Sequence, residues 1–162
     1  MKTRFILIIW LAWGALLAPA QNKQAIDSLL LNLQKAKTDT AKVTIFHNLF
    51  KEYRSYNLQQ ALHYAQNSLA LSQKIHYPSG LAMAYYDIGV TAMDQGKYQQ
   101  GREKLQKALK LFQQLGKRKE AGYVYYEFVN YYSEQGDWPN ALAYGLFPYS
   151  RRGQQQFSGW LG

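Results

Sequence analysis

At 162 residues the chain has room for one domain, and 48% apolar against 18% charged residues predicts a packed core rather than disorder. Cysteine is absent, which excludes disulfide frameworks, thiolate metal sites and cysteine nucleophiles. A formal charge of +9 points toward anionic partners such as nucleic acid or a membrane surface, and 14 tyrosines make the composition unusually aromatic.

Residues 1–20 stand apart. Lys2 and Arg4 precede an apolar run from Phe5 to Leu17, and Ala18-Pro19-Ala20 supplies the small-x-small pattern of a signal-peptidase site. The run falls short of the roughly 20 residues that a membrane-crossing helix needs. Cleavage after Ala20 is therefore expected, rather than retention as an anchor, with export to the periplasm or beyond. No cysteine follows the site, so the usual lipid-anchored form is excluded. Loss of Lys2 and Arg4 lowers the formal charge by two, and export argues against nucleic acid as a partner.

Residues 21–40 hold a short leading helix. From Ala25 to Lys37 the residues Ile26, Leu29, Leu30 and Leu33 fall on one stripe. Thr38-Asp39-Thr40 reads as a turn and N-cap cluster. Ile45, Phe46, Leu49, Phe50 and Tyr53 then give a helix over Ala41–Ser55, and Asn57 breaks it. Leu58, Ala61, Leu62, Ala65, Leu69 and Leu71 mark the next, over Gln59–Ile75. His76 to Gly80 reads as a turn punctuated by Pro78 and Gly80. Helices follow over Leu81–Gln95, Gln99–Leu115 and Glu120–Gln135, with turns at Gly96-Lys97 and Gly136-Asp137 and a C′ glycine at Gly116. A last helix starts at Pro139, where a first-turn proline is tolerated. No segment alternates with period two, so no strands are expected.

The chain also repeats itself. Shifted by 40 positions, Tyr85-Tyr86 falls on Tyr125-Tyr126, Gly96-Lys97-Tyr98 on Gly136-Asp137-Trp138, and Gln59-Gln60 on Gln99-Gln100. A fixed period of this size marks a solenoid, in which each unit buries its apolar face against its neighbours. Tyr85, Ile88, Gly89, Ala92, Gly96, Tyr98, Gly101, Leu105 and Ala108 resemble one tetratricopeptide repeat, and Tyr125, Phe128, Val129, Tyr132, Gly136, Trp138 and Ala141 the next. Gly89, Gly101 and Ala108 would let helices approach closely. The period exceeds the 34 residues of the basic motif, as in variants similar to kinesin light chains, which suggests a longer second helix in each pair. The first unit is ragged, and its stripe suggests a hairpin turn one residue shorter.

This resemblance implies an all-α fold: a right-handed superhelical solenoid of antiparallel helix pairs over 41–147. Pro148 would break the last helix, since an interior proline costs about 3 kcal/mol. The tail, 148–162, shows no apolar period, so the chain reads as the truncated or frameshifted front end of a longer protein. The leader, the Asp39–Lys42 opening and the long repeats look like the extracytoplasmic part of bacterial sensor kinases and helix-turn-helix regulators, which gives a signalling role as a secondary expectation.

No phosphate loop, nucleophile elbow or carboxylate pair with a base appears, and His47, His63 and His76 lie apart, so neither catalysis, metal nor cofactor is expected. Arg102, Lys104, Lys107, Lys110, Lys117, Arg118 and Lys119 make the densest charge. They read first as a solvated outward face, with anionic lipid binding as the alternative. By analogy with the family, the first helix of each pair lines a concave groove that takes a protein or peptide. The lining would be His47, Lys51 and Arg54; Met83, Tyr86, Val90, Met93 and Asp94; and Tyr123, Tyr126, Asn130 and Glu134.

Overall fold

The computed structural model describes residues 23–146. The leader, its cleavage site, Pro148 and the tail lie outside them. Among the described residues there are seven α-helices and no strands: α1 (23–35), α2 (Asp39–Arg54), α3 (Leu58–Lys74), α4 (Pro78–Asp94), α5 (Tyr98–Gln114), α6 (Arg118–Glu134) and α7 (Trp138–Leu146). From α2 onward each helix packs on the next, the arrangement of an all-α solenoid.

The metre is finer than the sequence suggests. Helices α3, α4, α5 and α6 each have 17 residues, and three residues separate each from the next, so one stroke is 20 residues. The length beyond the basic repeat is therefore shared by both helices of a pair, which corrects the expectation of a longer second helix. Four strokes end alike, with residues 76, 96, 116 and 136 in the left-handed region. At each, the N–H one residue further on donates back five positions, as from Lys97 to the Ala92 carbonyl at 2.8 Å and from Tyr77 to Ser72 at 2.9 Å. Glycine takes this conformation freely in three cases; His76, at φ 51°, takes it against its own Cβ.

Two turn expectations change. Pro78 and Gly80 belong to α4: the proline is its first residue, where it sacrifices no helical hydrogen bond, and Gly80 is buried. A Cβ on Gly80 would collide with Ser72 Oγ and come within 2.9 Å of Val43 Cγ1, so the glycine is there for close approach to α2 and α3. The hairpin turn of the first pair, residues 55–57, is as long as residues 95–97. The missing residue is instead at the start of α2, which has 16 residues and is capped by the Thr38 hydroxyl, an acceptor for the Ala41 N–H at 3.2 Å.

Burial follows the helical stripe. On α3 it covers Ala61, Ala65, Ser68 and Ser72, and on α5 Gly101, Leu105, Ala108 and Phe112, one set 40 positions after the other. Close contact of α4 with α5 comes from the glycines: a Cβ on Gly89 would lie 2.9 Å from Leu105 Cγ, and one on Gly101 3.0 Å from the Gly89 carbonyl oxygen. Within each pair one seat on the second helix reaches back to the first. Tyr64 stacks on Tyr53 with ring centroids 5.6 Å apart, and Tyr144 on Tyr132 at 5.4 Å. In the middle pair that seat holds Lys104, whose ammonium lies 5.6 Å from the Tyr85 ring centre.

The first helices of successive pairs also touch, α2 against α4 and α4 against α6, while no comparable contact joins α3 to α5 or α5 to α7. Helices closer on one side than the other bend the array, with α2, α4 and α6 on its inner side.

Candidate functional site

On the inner side, side chains three or four positions apart share a helix face, and the 40-residue period places equivalent faces next to each other. The register is visible in the hydrogen bonds. His47 Nδ1 lies 3.0 and 2.9 Å from the two oxygens of Asp87, which is fully buried. Arg54 Nε and Nη2 donate to the two oxygens of Asp94 at 2.8 and 3.2 Å, a bidentate pair. Arg54 Nη1 also lies 3.5 Å from Glu127 Oε1, and that same oxygen accepts from the Tyr86 hydroxyl at 3.0 Å. These rungs tie α2 to α4, and both to α6.

Their electrostatics follow from burial. Asp87 is desolvated, which raises its carboxyl from 3.8 to about 6 even though the bond to His47 and its field pull the other way. Burial also raises the Tyr86 phenol, and Glu127 adds to the shift, so Tyr86 stays a donor at any ordinary pH. For Arg54 burial opposes the charge, but the bond to Asp94 and the fields of Asp94 and Glu127 outweigh it and raise its pKa.

Two hollows lie along this face. One, of about 210 Å³, is lined by His47, Lys51, Met83, Tyr86, Phe112, Lys119, Glu120 and Tyr123. The other, of about 320 Å³, is lined by Arg54, Met93, Asp94, Gly96, Tyr98, Glu127, Asn130, Tyr131 and Glu134. Ten of the twelve expected groove residues thus fall in one hollow or the other. Val90 does not line the groove: it shares the α4 face of Tyr86 and Asp94 but is wholly buried in the core. Tyr126 is exposed but borders neither hollow. Asp87 and Glu127 were missed. A count of opposite charges one period apart would have found His47 with Asp87 and Arg54 with Asp94.

The basic stretch from Arg102 to Lys119 is less free than its sequence suggests. Lys104 and Lys107 both lie over Tyr85, at 5.6 and 5.8 Å, and Lys117 pairs with Glu120 at 3.5 Å. Lys119 lines the smaller hollow. Among the described residues no group of His, Asp and Glu has the arrangement of a metal site, and no helix is long and apolar enough to cross a membrane.

A family model described as the SusR N-terminal TPR domain matches residues 19–145, which cover α1 to α6 and all of α7 but its last residue. No curated protein gives a significant match. Forty-residue helix pairs in register, left-handed stops every twentieth residue and the family match over most of the chain agree: this protein belongs to the SusR N-terminal TPR domain family.

Proposed function

We propose that the chain is an exported binding array that takes a protein or peptide along the inner face of α2, α4 and α6 and performs no catalysis. Tetratricopeptide domains are in general protein-interaction modules, and the finer reading rests on one observation. The two hollows differ in the sign of their charge: Lys51 and Lys119 outweigh Glu120 at one, and Asp94, Glu127 and Glu134 outweigh Arg54 at the other. Exposed Tyr123 and half-buried Met83 and Met93 add contact area that repacks at modest entropic cost. A segment lying along the axes of α4 and α6, with acidic residues toward their N-terminal ends and basic residues toward their C-terminal ends, would complement both hollows. The domain is described as N-terminal in SusR, which suits a binding module placed ahead of a further region.

The triple variant Lys51→Glu, Tyr123→Ala and Glu134→Lys tests the groove, because all three side chains are exposed and the fold does not need them. Pull-down from an envelope extract should lose the species that the wild-type chain retains, with helical circular dichroism unchanged. Retention of the same species by the triple variant overturns the reading. Anionic lipid is the less supported partner, since Lys104 and Lys107 are engaged with Tyr85.

A further inference from the structure

In the contact between α2 and α4 both oxygens of one carboxylate face one ring nitrogen: His47 Nδ1 lies 3.0 Å from Asp87 Oδ1 and 2.9 Å from Oδ2. Asp87 is fully buried, while the His47 side chain is 18% exposed and lines the smaller hollow. With Nδ1 turned to the carboxylate, Nε2 is the polar atom of the ring left to meet an occupant of that hollow. When the pair holds one proton, it sits between Nδ1 and the carboxylate, and Nε2 carries a bare lone pair. A second proton can be placed in two ways that keep the buried groups bonded. Either His47 becomes an imidazolium beside the Asp87 carboxylate, or Asp87 becomes an acid that donates to Nδ1 while Nε2 takes the ring hydrogen. Nε2 ends as a donor in both. Any other placement strands the acid hydrogen of Asp87 in the core.

The groups around the pair favour an anion once Nε2 donates. Lys51 on α2 and Lys119 on α6 line the same hollow against Glu120, Tyr86 and Tyr123 add hydroxyls, and α5 adds only the Phe112 ring. Arg54 and Lys51 also act on Asp87 through their fields. Glu127 on α6 is engaged with Arg54 and Tyr86. Resting on the groove reading, we infer that the smaller hollow is a proton-switched seat for a carboxylate of the groove's occupant, offered a lone pair by His47 Nε2 at high pH and a hydrogen once the His47–Asp87 pair takes up a proton. Binding the carboxylate carries that proton with it, so the occupant is held more tightly in mildly acid surroundings. Desolvation raises the Asp87 carboxyl, which moves the uptake toward neutral pH. Asp87 is the positioning residue, fixing the ring and committing Nδ1.

The probe is a fluorescently labelled tetraglutamate peptide, whose side chains stay ionised at both about pH 8 and about pH 6. Anisotropy against the full chain should show binding about fivefold tighter at the lower pH, since one linked proton changes affinity by at most about tenfold per pH unit. His47→Gln keeps a donor toward Asp87 but does not titrate, and it should bind equally at both pH values with helical circular dichroism unchanged. His63 and His76 line neither hollow, so they leave that result intact. Asp87→Asn should shift the pH dependence to lower pH, because the imidazolium loses its counter-charge. Without any variant, ring-nitrogen NMR of the wild type should show Nε2 gaining its hydrogen as the peptide is added at about pH 7. Absence of peptide binding, equal wild-type affinities at the two pH values, a pH dependence that survives His47→Gln, or a bare Nε2 in the complex overturns the inference. Loss of the captured species by the triple groove variant, beside peptide binding that ignores pH, leaves the groove reading standing and overturns this one alone.

Discussion

The two kinds of helix in this array keep time differently. On α3 and α5 the same four seats are buried, Ala61, Ala65, Ser68 and Ser72 against Gly101, Leu105, Ala108 and Phe112. On α2, α4 and α6 equivalent seats change chemistry from one pair to the next: His47, Asp87 and Glu127, then Arg54, Asp94 and Glu134. The outer helices repeat which seats they bury, although the volumes in those seats differ, because each turns the same face to its neighbours. The inner helices are free to vary wherever a neighbour one period away can answer the change, and that freedom is what a recognition surface requires.

The sharpest way to break the contrast is at the seam. Gly89→Leu forces a branched side chain into Leu105 and should cost about 3 kcal/mol or more, measured by chemical denaturation. Next comes the inner face. His47→Ala leaves the buried Asp87 carboxylate without its partner and should cost about 2 kcal/mol at pH 7, less as the carboxyl is protonated at lower pH. The sign follows from the raised pKa. Asp87 holds its proton more tightly folded than unfolded, where a carboxyl titrates near about 4, so its contribution is complete below that pH and lost as pH rises through about 6. Asp87→Asn should flatten the stability–pH curve across that window.

Ser68→Ala sharpens the comparison from the other side. It copies Ala108 into α3 and removes a buried hydroxyl that has no hydrogen-bond partner, so thermal denaturation should show a gain of about 1 kcal/mol. Arg54→Gln should have the smallest effect, under about 1 kcal/mol by the same measurement, because its ion pairs are about one-third exposed and screened by water.

What the sequence shows and what it hides divide along the same line. Apolar stripes and the 40-residue period reveal the fold, because burial is a property of single residues summed over a helix. Gly89 and Gly101 can be read as points of close approach for that reason, and the structure puts a neighbour within 3.0 Å of where each Cβ would be. Asp87 is invisible to the same logic: a carboxylate counts as a surface residue until its partner on another helix is known. Val90 errs in the opposite direction, assigned to the groove by analogy while packing against the core. Raggedness in the first pair is visible in the sequence but misplaced, since apolar spacing cannot tell a short turn from a late helix start.

The uniform stroke, seventeen residues and a three-residue hinge, makes this array intolerant of small edits in length. Deleting one residue inside α4 would turn every later side chain on that helix by about 100° and present its polar flank to α5. Removing or duplicating forty residues at matching hinges would keep inner helices against outer ones and leave each kind of seam as it was. Change in the size of such a protein is therefore quantised, and its history should be written in whole pairs.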